Sequence, residues 1–593
     1  MQLTVIDVTV ILLYFVLNLA IALWLRKRAT KSVDDFFISG RKAPWWLAGT
    51  SMVATTFAAD TPLVVTGLVA KHGIAGNWIW WSMLFSGMLT VFFFAKLWRR
   101  AGVLTDVEFA EIRYGGKPAV FLRAFRAVYL GLPINLIILG WVNLAIVKIL
   151  MSVLGVTKVE ALGIAVMMMF ITASISTLSG LWGVLWTDLF QFVLKMGMVI
   201  ALAVFAVNAT GGMGPLLDGL HEIDRTRDPS SSILSLVPDM NSVWMPMITF
   251  FVFIAVNWWA SWYPGAEPGG GGYIAQRIFS AKDEKNSLLA TLWFNIAHYA
   301  LRPWPWILVG LVAVVRFQGD PQFAADPESG YIRILVTDLP PYLRGLMLAA
   351  FAAAYMSTIG TQLNWGASYI VNDVYKRFIV KDKTEKHYVR ISQAVTMILM
   401  ALSVIITFYM ESIAEAWKIL MALGAGTGLV YILRWFWWRI NAWSEISAMI
   451  TAFVTSLVLQ FCFHFDEANP RDFALLLLIT VAITTVSWLA VTFATGPEPK
   501  ELLLAFYRRV RPNATLWGPI AREAADITPQ KDGMFNLVQW LCGVAMVYAF
   551  LFGTGKIILG SHGTGLLFIL SGLFFGFVIY VRMGRRGWDT IAK

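Results

Sequence analysis

Long apolar runs separated by short polar stretches extend over almost the whole chain. A helix needs about 20 mainly apolar residues to cross the hydrocarbon core of a bilayer, and most of these runs reach that length. The pattern therefore predicts an all-α integral membrane protein with about fifteen transmembrane helices. The runs lie near residues 5–25, 44–70, 76–98, 122–152, 159–180, 183–208, 243–264, 286–316, 341–372, 389–410, 413–436, 442–465, 470–494, 534–554 and 562–581.

Two of these predicted helices contain helix-breaking residues. The second carries the segment 58–62, which ends in Pro62, in mid-span, and the seventh runs into a Gly- and Pro-rich segment at 263–272. They are separated as expected if the second to sixth and the seventh to eleventh helices form two inverted repeats. Interruptions at corresponding positions of two repeats indicate a binding site near the midplane. Alternatively, 264–272 is a plain cytoplasmic loop and the break lies nearer Asn257 and Trp259.

Basic residues are distributed unevenly between the predicted loops. When alternate loops are assigned to one side, the basic segments 26–42, 99–126, 277–285, 376–390, 508–531 and 582–593 share a face. The positive-inside rule then places the N-terminus outside and the C-terminus in the cytoplasm. The net charge of +11 is explained by this topology, and we expect no nucleic-acid partner.

Composition supports a membrane protein. The chain is 58% hydrophobic and has 27 Trp, a residue that is enriched at membrane interfaces. The first apolar run has no positive start and no small-residue cleavage site, so we interpret it as an anchor rather than a signal peptide. We expect a plasma-membrane protein, and the lack of a glycosylated outer loop favours a bacterial origin.

A cluster of neutral polar side chains interrupts the apolar stretch 351–364. Ser357, Thr358, Thr361, Gln362 and Asn364 lie within a few turns of one predicted membrane helix. Neutral oxygens at membrane depth bond across helices or line a cavity, and they suit a monovalent cation. The alternative is that the hydroxyls bond back to carbonyls one turn earlier in their own helix.

This stretch resembles the sodium-site helix of the sodium:solute symporter family. Two further resemblances follow the family's order, at 35–57 and at 180–191. The resemblance implies a LeuT-like fold of five plus five inverted-repeat helices with extra helices at both ends. It divides the chain into 1–43 (an extra helix and a cytoplasmic loop), 44–210 (first repeat), 211–436 (second repeat), 437–496 (two peripheral helices), 497–533 (a cytoplasmic linker) and 534–593 (two helices and a basic tail).

The resemblance also implies sodium as the coupling ion, held between the second and ninth predicted helices. Its ligands would be the backbone carbonyls of Ala54, Phe57 and Ala354 with the hydroxyls of Ser357 and Thr358. Neutral oxygens freed by an unwound helix suit Na⁺ better than Mg²⁺ or Ca²⁺, whose sites usually contain carboxylates.

A second sodium site, which some members of the family have, is less clear. Asp188 and Thr361 match its pattern, but Gly360 stands where the family has Ser. Asp188 is therefore either a ligand of a second sodium ion or a structural group that orients neighbouring side chains.

Lys195 lies seven residues beyond Asp188, on the same face of one predicted helix. An ammonium group at membrane depth is costly and should have a partner. It either binds an anionic substrate group, replaces a cation by titrating, or forms a buried ion pair with Asp60 or Asp188.

The other candidate substrate residues surround the two predicted breaks. Asp60 could contact a substrate hydroxyl or amine, or it could cap the outer half of the second helix. Sugar-transporting relatives have an acidic residue in the next helix, which 77–82 lacks, so a sugar-type pocket is not expected. The full substrate set is Thr56, Asp60, Thr61, Trp81, Lys195, Asn257 and Trp259.

These observations predict Na⁺-coupled symport of a small polar organic solute across the plasma membrane by alternating access. Alternatives are a proton-coupled or uncoupled transporter of the same fold, or a transporter-like solute sensor. We do not expect an enzyme, because the sequence has only six His and no catalytic constellation of familiar spacing. The expected partners are the solute and the lipid bilayer, with no obligate protein partner.

Overall fold

The computed structural model describes residues 4–29, 31–226, 232–261, 268–410, 426–466 and 469–586. Every regular element within these ranges is a helix, and the β-type contacts found there are two isolated bridges. The prediction of an all-α membrane protein is confirmed.

The principal helices follow one another along the chain as α1 to α17. They are α1 (Val5–Ala29), α2 (Trp45–Thr56), α3 (Thr61–His72), α4 (Ile74–Ala101), α5 (Gly116–Leu154), α6 (Lys158–Ala209), α7 (Met247–Ala260), α8 (Gly272–Ser280), α9 (Glu284–Arg316), α10 (Pro341–Ile379), α11 (Glu385–Tyr409), α12 (Gly428–Phe436), α13 (Ala442–Phe461), α14 (Pro470–Ala494), α15 (Lys500–Val510), α16 (Gly533–Ile558) and α17 (His562–Arg586).

The number of membrane spans differs from the predicted fifteen. Among the described residues, 11 helices are long and apolar enough to cross a bilayer, or 12 if α2 and α3 together form one span. Helix α7 is too short to pass this test, and most of the predicted span 413–436 falls outside the described residues. The count of fifteen is therefore not confirmed.

The predicted spans 159–180 and 183–208 together form α6, a stretch of 52 residues whose backbone is not helical at Gly180, where the two predicted spans meet. A straight helix of this length would extend about 78 Å, more than twice the thickness of the hydrocarbon core. The helix is kinked at Gly180, where φ is 49° and ψ is −151°. A Cβ atom at this position would lie 2.6 Å from the carbonyl oxygen of Phe36, so only glycine fits the kink.

The predicted break in the second helix is present. Helices α2 and α3 are bent by 58° about the short segment that joins them. Pro62 occupies the first turn of α3, where its missing N–H costs no hydrogen bond. Asp60 precedes α3 but makes no capping hydrogen bond with its side chain, so its predicted role as a cap is not observed.

The second predicted break is only partly described. Helix α7 ends at Ala260 and α8 begins at Gly272, while 262–267 lie outside the described residues. The choice between a cytoplasmic loop and a break near Asn257 therefore stays open, as does the division of the chain into the predicted domains.

Helix α10 lies at the centre of the molecule. Its most apolar stretch is 94% buried, against 17% for α17 at the periphery. Helices α1, α2, α5, α6 and α11 pack around α10. The polar cluster predicted on 351–364 is thus in the core, where each polar atom must meet protein or a bound ligand.

Candidate solute and cation sites

The predicted ligands of the first sodium site are brought together where α2 ends against α10. The hydroxyl of Thr358 donates to the carbonyl of Thr55 at 2.9 Å and to that of Ala354 at 3.2 Å. Ala54, Phe57, Ala354, Ser357 and Thr358 are all buried. All five predicted ligands therefore lie in the buried region where α2 and α10 pack together.

Lys195 reaches into this same position from α6. Its Nζ donates to the carbonyl oxygen of Ala54 at 2.7 Å and to that of Phe57 at 3.2 Å. The ammonium also lies 4.9 Å from the centre of the Phe57 ring, within the range of a cation–π interaction. The direct ion pair predicted with Asp60 or Asp188 is not formed. Asp188 acts on Lys195 through its charge alone.

The possible second sodium site is occupied by another cationic side chain, that of Arg277 from α8. Its Nη2 donates to the hydroxyl of Thr361 at 2.6 Å and lies 3.9 Å from the Oδ2 atom of Asp188. Asp188 also accepts from Ser51 at 2.5 Å and from Ser357 at 2.6 Å. Asp188 is therefore the anion of a buried hydrogen-bonded network that includes Ser51, Ser357 and Arg277.

A cavity of about 310 Å³ opens beside the break between α2 and α3. Of the predicted substrate residues, Thr56, Asp60 and Thr61 line it, whereas Trp81, Lys195, Asn257 and Trp259 do not. Lining residues that the sequence did not single out include Trp80, Trp141, Tyr273 and Tyr299. Thr358 lines the cavity as well, so the cavity borders directly on the cation site.

The predicted residues outside this cavity have other surroundings. Trp81 is fully buried and packs edge-on against Phe552, while its neighbour Trp80 faces the cavity. The side-chain oxygen of Asn257 accepts from Ser261 at 3.0 Å, and Trp259 donates to a carbonyl of its own helix at 2.6 Å. Assigning Trp81 to the cavity was wrong by one residue, which is a rotation of about 100° around a helix.

One wall of the cavity carries a positive charge. The Nη1 atom of Arg302 donates to Thr56 at 3.1 Å, and its Nη2 atom lies 2.9 Å from the Nε2 atom of His298. Since Arg302 can only donate, Nε2 accepts and the proton of neutral His298 lies on Nδ1, 3.0 Å from the Thr56 hydroxyl. The Asp60 carboxylate lines the same space. The cavity thus offers one cation, one anion and several aromatic faces.

A sequence profile described as the Sodium:solute symporter family matches residues 36–452. This chain belongs to the sodium:solute symporter family. The assignment made from the three sequence motifs is confirmed, and with it the conclusion that the protein is a multi-pass membrane transporter rather than an enzyme.

Curated members of the family are similar over most of their length. A sodium/glucose cotransporter of Vibrio parahaemolyticus is 25% identical over 77% of this chain and 86% of its own. A human sodium/myo-inositol cotransporter 2 is 23% identical over 91% of this chain and 89% of its own. A Na⁺-coupled sialic acid symporter, solved in a substrate-bound outward-open state, aligns with a TM-score of 0.67 at 20% identity, covering 84% of this chain and 99% of its own. That structural likeness establishes the fold.

Family membership supports sodium as the coupling ion, but the first site as folded does not fit it. Two of its carbonyls already accept the ammonium of Lys195. Two unit charges about 4 Å apart repel by about 4 kcal/mol at an effective dielectric constant of 20, so a sodium ion cannot share these carbonyls with an ammonium. The family resemblance thus implies a sodium ion at the carbonyls of Ala54 and Phe57, where this protein has the ammonium group of Lys195.

Arg277 and Arg302 are the charged site residues that sequence reasoning missed or undervalued. Arg277 follows Gln276 in a stretch that was assigned to a basic cytoplasmic loop, whereas the structure buries it completely. Arg302 was given no role in the sequence analysis, whereas the structure buries it beside the cavity. The available signal for Arg302 was a single arginine within an apolar stretch.

Proposed function

We propose that this protein is a secondary active transporter that carries a small polar organic solute across the plasma membrane by alternating access. The observation that carries this proposal is the cavity at the break between α2 and α3. It is of the size expected for a small-molecule site and shares Thr358 with the cation site. In a transporter with inverted repeats, solute and coupling ion meet near the midplane at such a discontinuous helix.

The polar wall of the cavity indicates what the solute presents. Arg302, which the Thr56 hydroxyl helps to hold in place, can bind an acceptor such as a carboxylate or a hydroxyl group, and Asp60 can bind a donor. The aromatic faces of Trp80 and Tyr299 would cover its apolar part. We propose a solute that carries both a donor and an acceptor group. A sugar-type pocket is not proposed, because α4 lacks the acidic residue that sugar-transporting relatives have in this helix.

Two coupling schemes are candidates. Sodium-coupled symport is supported by the family to which the chain belongs. Transport that does not depend on sodium is favoured by a specific contact, the ammonium of Lys195 on the carbonyls of Ala54 and Phe57. In both schemes we place the N-terminus outside and the C-terminus in the cytoplasm, as the basic loops indicate.

A screen followed by transport measurement tests the proposal. Amino acids, hydroxy acids and polyols are screened for an increase in melting temperature of the purified protein, since a ligand of the folded state stabilises it by mass action. Each hit is then measured for uptake into proteoliposomes with an inward gradient of NaCl, or of choline chloride at equal ionic strength.

We expect Thr56→Val to weaken both binding and uptake of the solute. The matched control is Thr187→Val, which removes a buried hydroxyl that bonds only to carbonyls of its own helix, at 2.9 and 3.2 Å. Uptake that Thr56→Val and Thr187→Val reduce equally would show that the cavity is not the solute site. Uptake no greater than in empty liposomes would contradict transport itself.

A further inference from the structure

We propose that Lys195 is the resident cation of the first site, so that wild-type protein binds no sodium between α2 and α10. The ammonium takes the place of the ion rather than assisting it. This inference concerns cation binding alone and does not depend on which solute the cavity accepts.

The contacts of the ammonium are those that a bound cation would make. Its two acceptors, the carbonyls of Ala54 and Phe57, lie at the C-terminal end of α2, at 2.7 and 3.2 Å. The end of a helix carries a partial negative charge and favours a cation. Because α2 stops at Thr56, the carbonyl of Phe57 has no partner in a following helical turn. Lys195 supplies that partner.

The void beside the ammonium is a poor place for an additional ion. It measures about 10 Å³, and apart from Lys195 it is lined by apolar residues. A sodium ion there would face apolar side chains, because the carbonyls of Ala54 and Phe57 already accept from the ammonium. A sodium ion would have to displace the ammonium from its two carbonyls, and the displaced charge would then be left among apolar groups.

The nearby charges also favour one cation at this place. Asp188, on the same helix, attracts the ammonium, while Arg302, on α9, repels it. Asp188 is already balanced by Arg277 from the other side. Asp60 and Arg302 line the same cavity, so a sodium ion added to Lys195, Arg277 and Arg302 would be a fourth positive charge near two buried carboxylates, Asp188 and Asp60.

The two hydroxyl groups of the predicted ligand set, those of Ser357 and Thr358, are not used by Lys195. The hydroxyls of Ser357 and Thr358 donate to Asp188 and to the carbonyl of Thr55, which leaves their oxygen lone pairs free to face a cation. Removing the ammonium would therefore expose a set of neutral oxygens of the kind that binds sodium. The site is latent, and Lys195 is what fills it.

Binding of radioactive ²²Na⁺ to the purified protein in choline chloride buffer tests this. We expect no saturable binding to wild type, and saturable binding of about one ion per molecule to Lys195→Ala and Lys195→Met. In these variants the carbonyls of Ala54 and Phe57 no longer accept from an ammonium and are available to a sodium ion. Melting temperature should rise with NaCl in these two variants and not in wild type. The control Lys148→Ala removes an exposed ammonium from α5 and should behave as wild type.

Two results would overturn the inference. Saturable ²²Na⁺ binding to wild type that Thr358→Val abolishes would show that sodium displaces Lys195. Failure of both folded Lys195 variants to bind sodium would show that the lysine is not what excludes it. If Lys195→Ala does not fold, Lys195→Met preserves more of the packing, and the wild-type measurement remains decisive. A solute that stabilises wild type in sodium-free buffer reports on the proposed transport function separately.

Discussion

Two buried cations of this protein, Lys195 and Arg277, interact with the same carboxylate, that of Asp188, and they are held in different ways. Lys195 is held by two backbone carbonyls and an aromatic ring, and no carboxylate of the described residues is in contact with it. Arg277 is held by Thr361, Ser51 and the side-chain oxygen of Gln276, with Asp188 at 3.9 Å. One site is built from neutral oxygens, and the other is a charge pair within a hydrogen-bonded network.

The difference indicates what each cation is for. Neutral oxygens lose little when one monovalent cation is exchanged for another, so the Lys195 position keeps the character of an ion site. A carboxylate that loses its guanidinium is left as an uncompensated buried charge. We therefore expect Lys195 to be exchangeable for sodium by mutation, and Arg277 to be required for folding stability.

The largest effect is expected from Arg277→Ala. Breaking a buried ion pair by removing one partner costs about 3–5 kcal/mol, because Asp188 would keep its charge without the arginine. Thermal unfolding in detergent measures this loss. Arg333→Ala serves as control, since Arg333 pairs with Asp320 at 2.7 Å on a partly exposed surface and should change stability little. Equal losses in the two variants would contradict the division into an exchangeable and a structural cation.

A smaller loss is expected from Lys195→Arg. Charge is preserved, but the void of about 10 Å³ beside the ammonium cannot hold the larger guanidinium group. Overpacking of a buried position costs about 1–3 kcal/mol. Lys148→Arg, at an exposed position of α5, is the matched control for melting temperature. A variant as stable as wild type would mean that the position tolerates any cation, and the close fit described for Lys195 would be wrong.

The smallest effect on stability is expected from Thr358→Val. The change removes one neutral hydrogen bond to the carbonyl of Thr55, which is worth about 0.5–1.5 kcal/mol, and keeps the shape of the side chain. Combined with Lys195→Ala, it should nevertheless abolish the sodium binding that Lys195→Ala creates. Thr187→Val combined with Lys195→Ala should leave that binding intact. Sodium binding that survives the loss of Thr358 would place the ion elsewhere.

Much of this arrangement could be predicted from the sequence because it depends on local motifs. The apolar runs reveal the membrane helices, and Pro62 reveals the break that frees the carbonyls of α2. The polar cluster of α10 suits a monovalent cation, and its resemblance to the sodium-site helix of the family indicated which residues to compare. The number of spans was harder to predict: 11 helices of the described residues are long and apolar enough to cross a bilayer, and α6 counts once among them although its backbone breaks at Gly180, between the two predicted runs.

The partner of Lys195 could not be predicted, and the reason is geometric. Asp188 lies two turns away on the same helix face, about 10 Å along the axis. The flexible four-carbon side chain of Lys195 can extend along the helix axis in either direction, so the spacing from Asp188 alone does not determine which group accepts its hydrogen bonds. Only the packing of α6 against α2 brings the carbonyls of Ala54 and Phe57 within reach. The prediction of Trp81 instead of Trp80 as a cavity residue failed for a similar reason, because adjacent residues face different sides of α4.

The covalent attachment of Lys195 has an electrical consequence. A dissociating Na⁺ ion transfers one charge in each cycle, and a potential of 100 mV contributes about 2.3 kcal/mol for each charge moved. The charge of Lys195 returns with the protein to its starting position, so this site adds nothing to a steady-state current. Movement of the ammonium within the field produces only a transient current. At this position the protein thus draws no driving force from membrane voltage, and any current during transport is carried by the solute or by ions bound elsewhere.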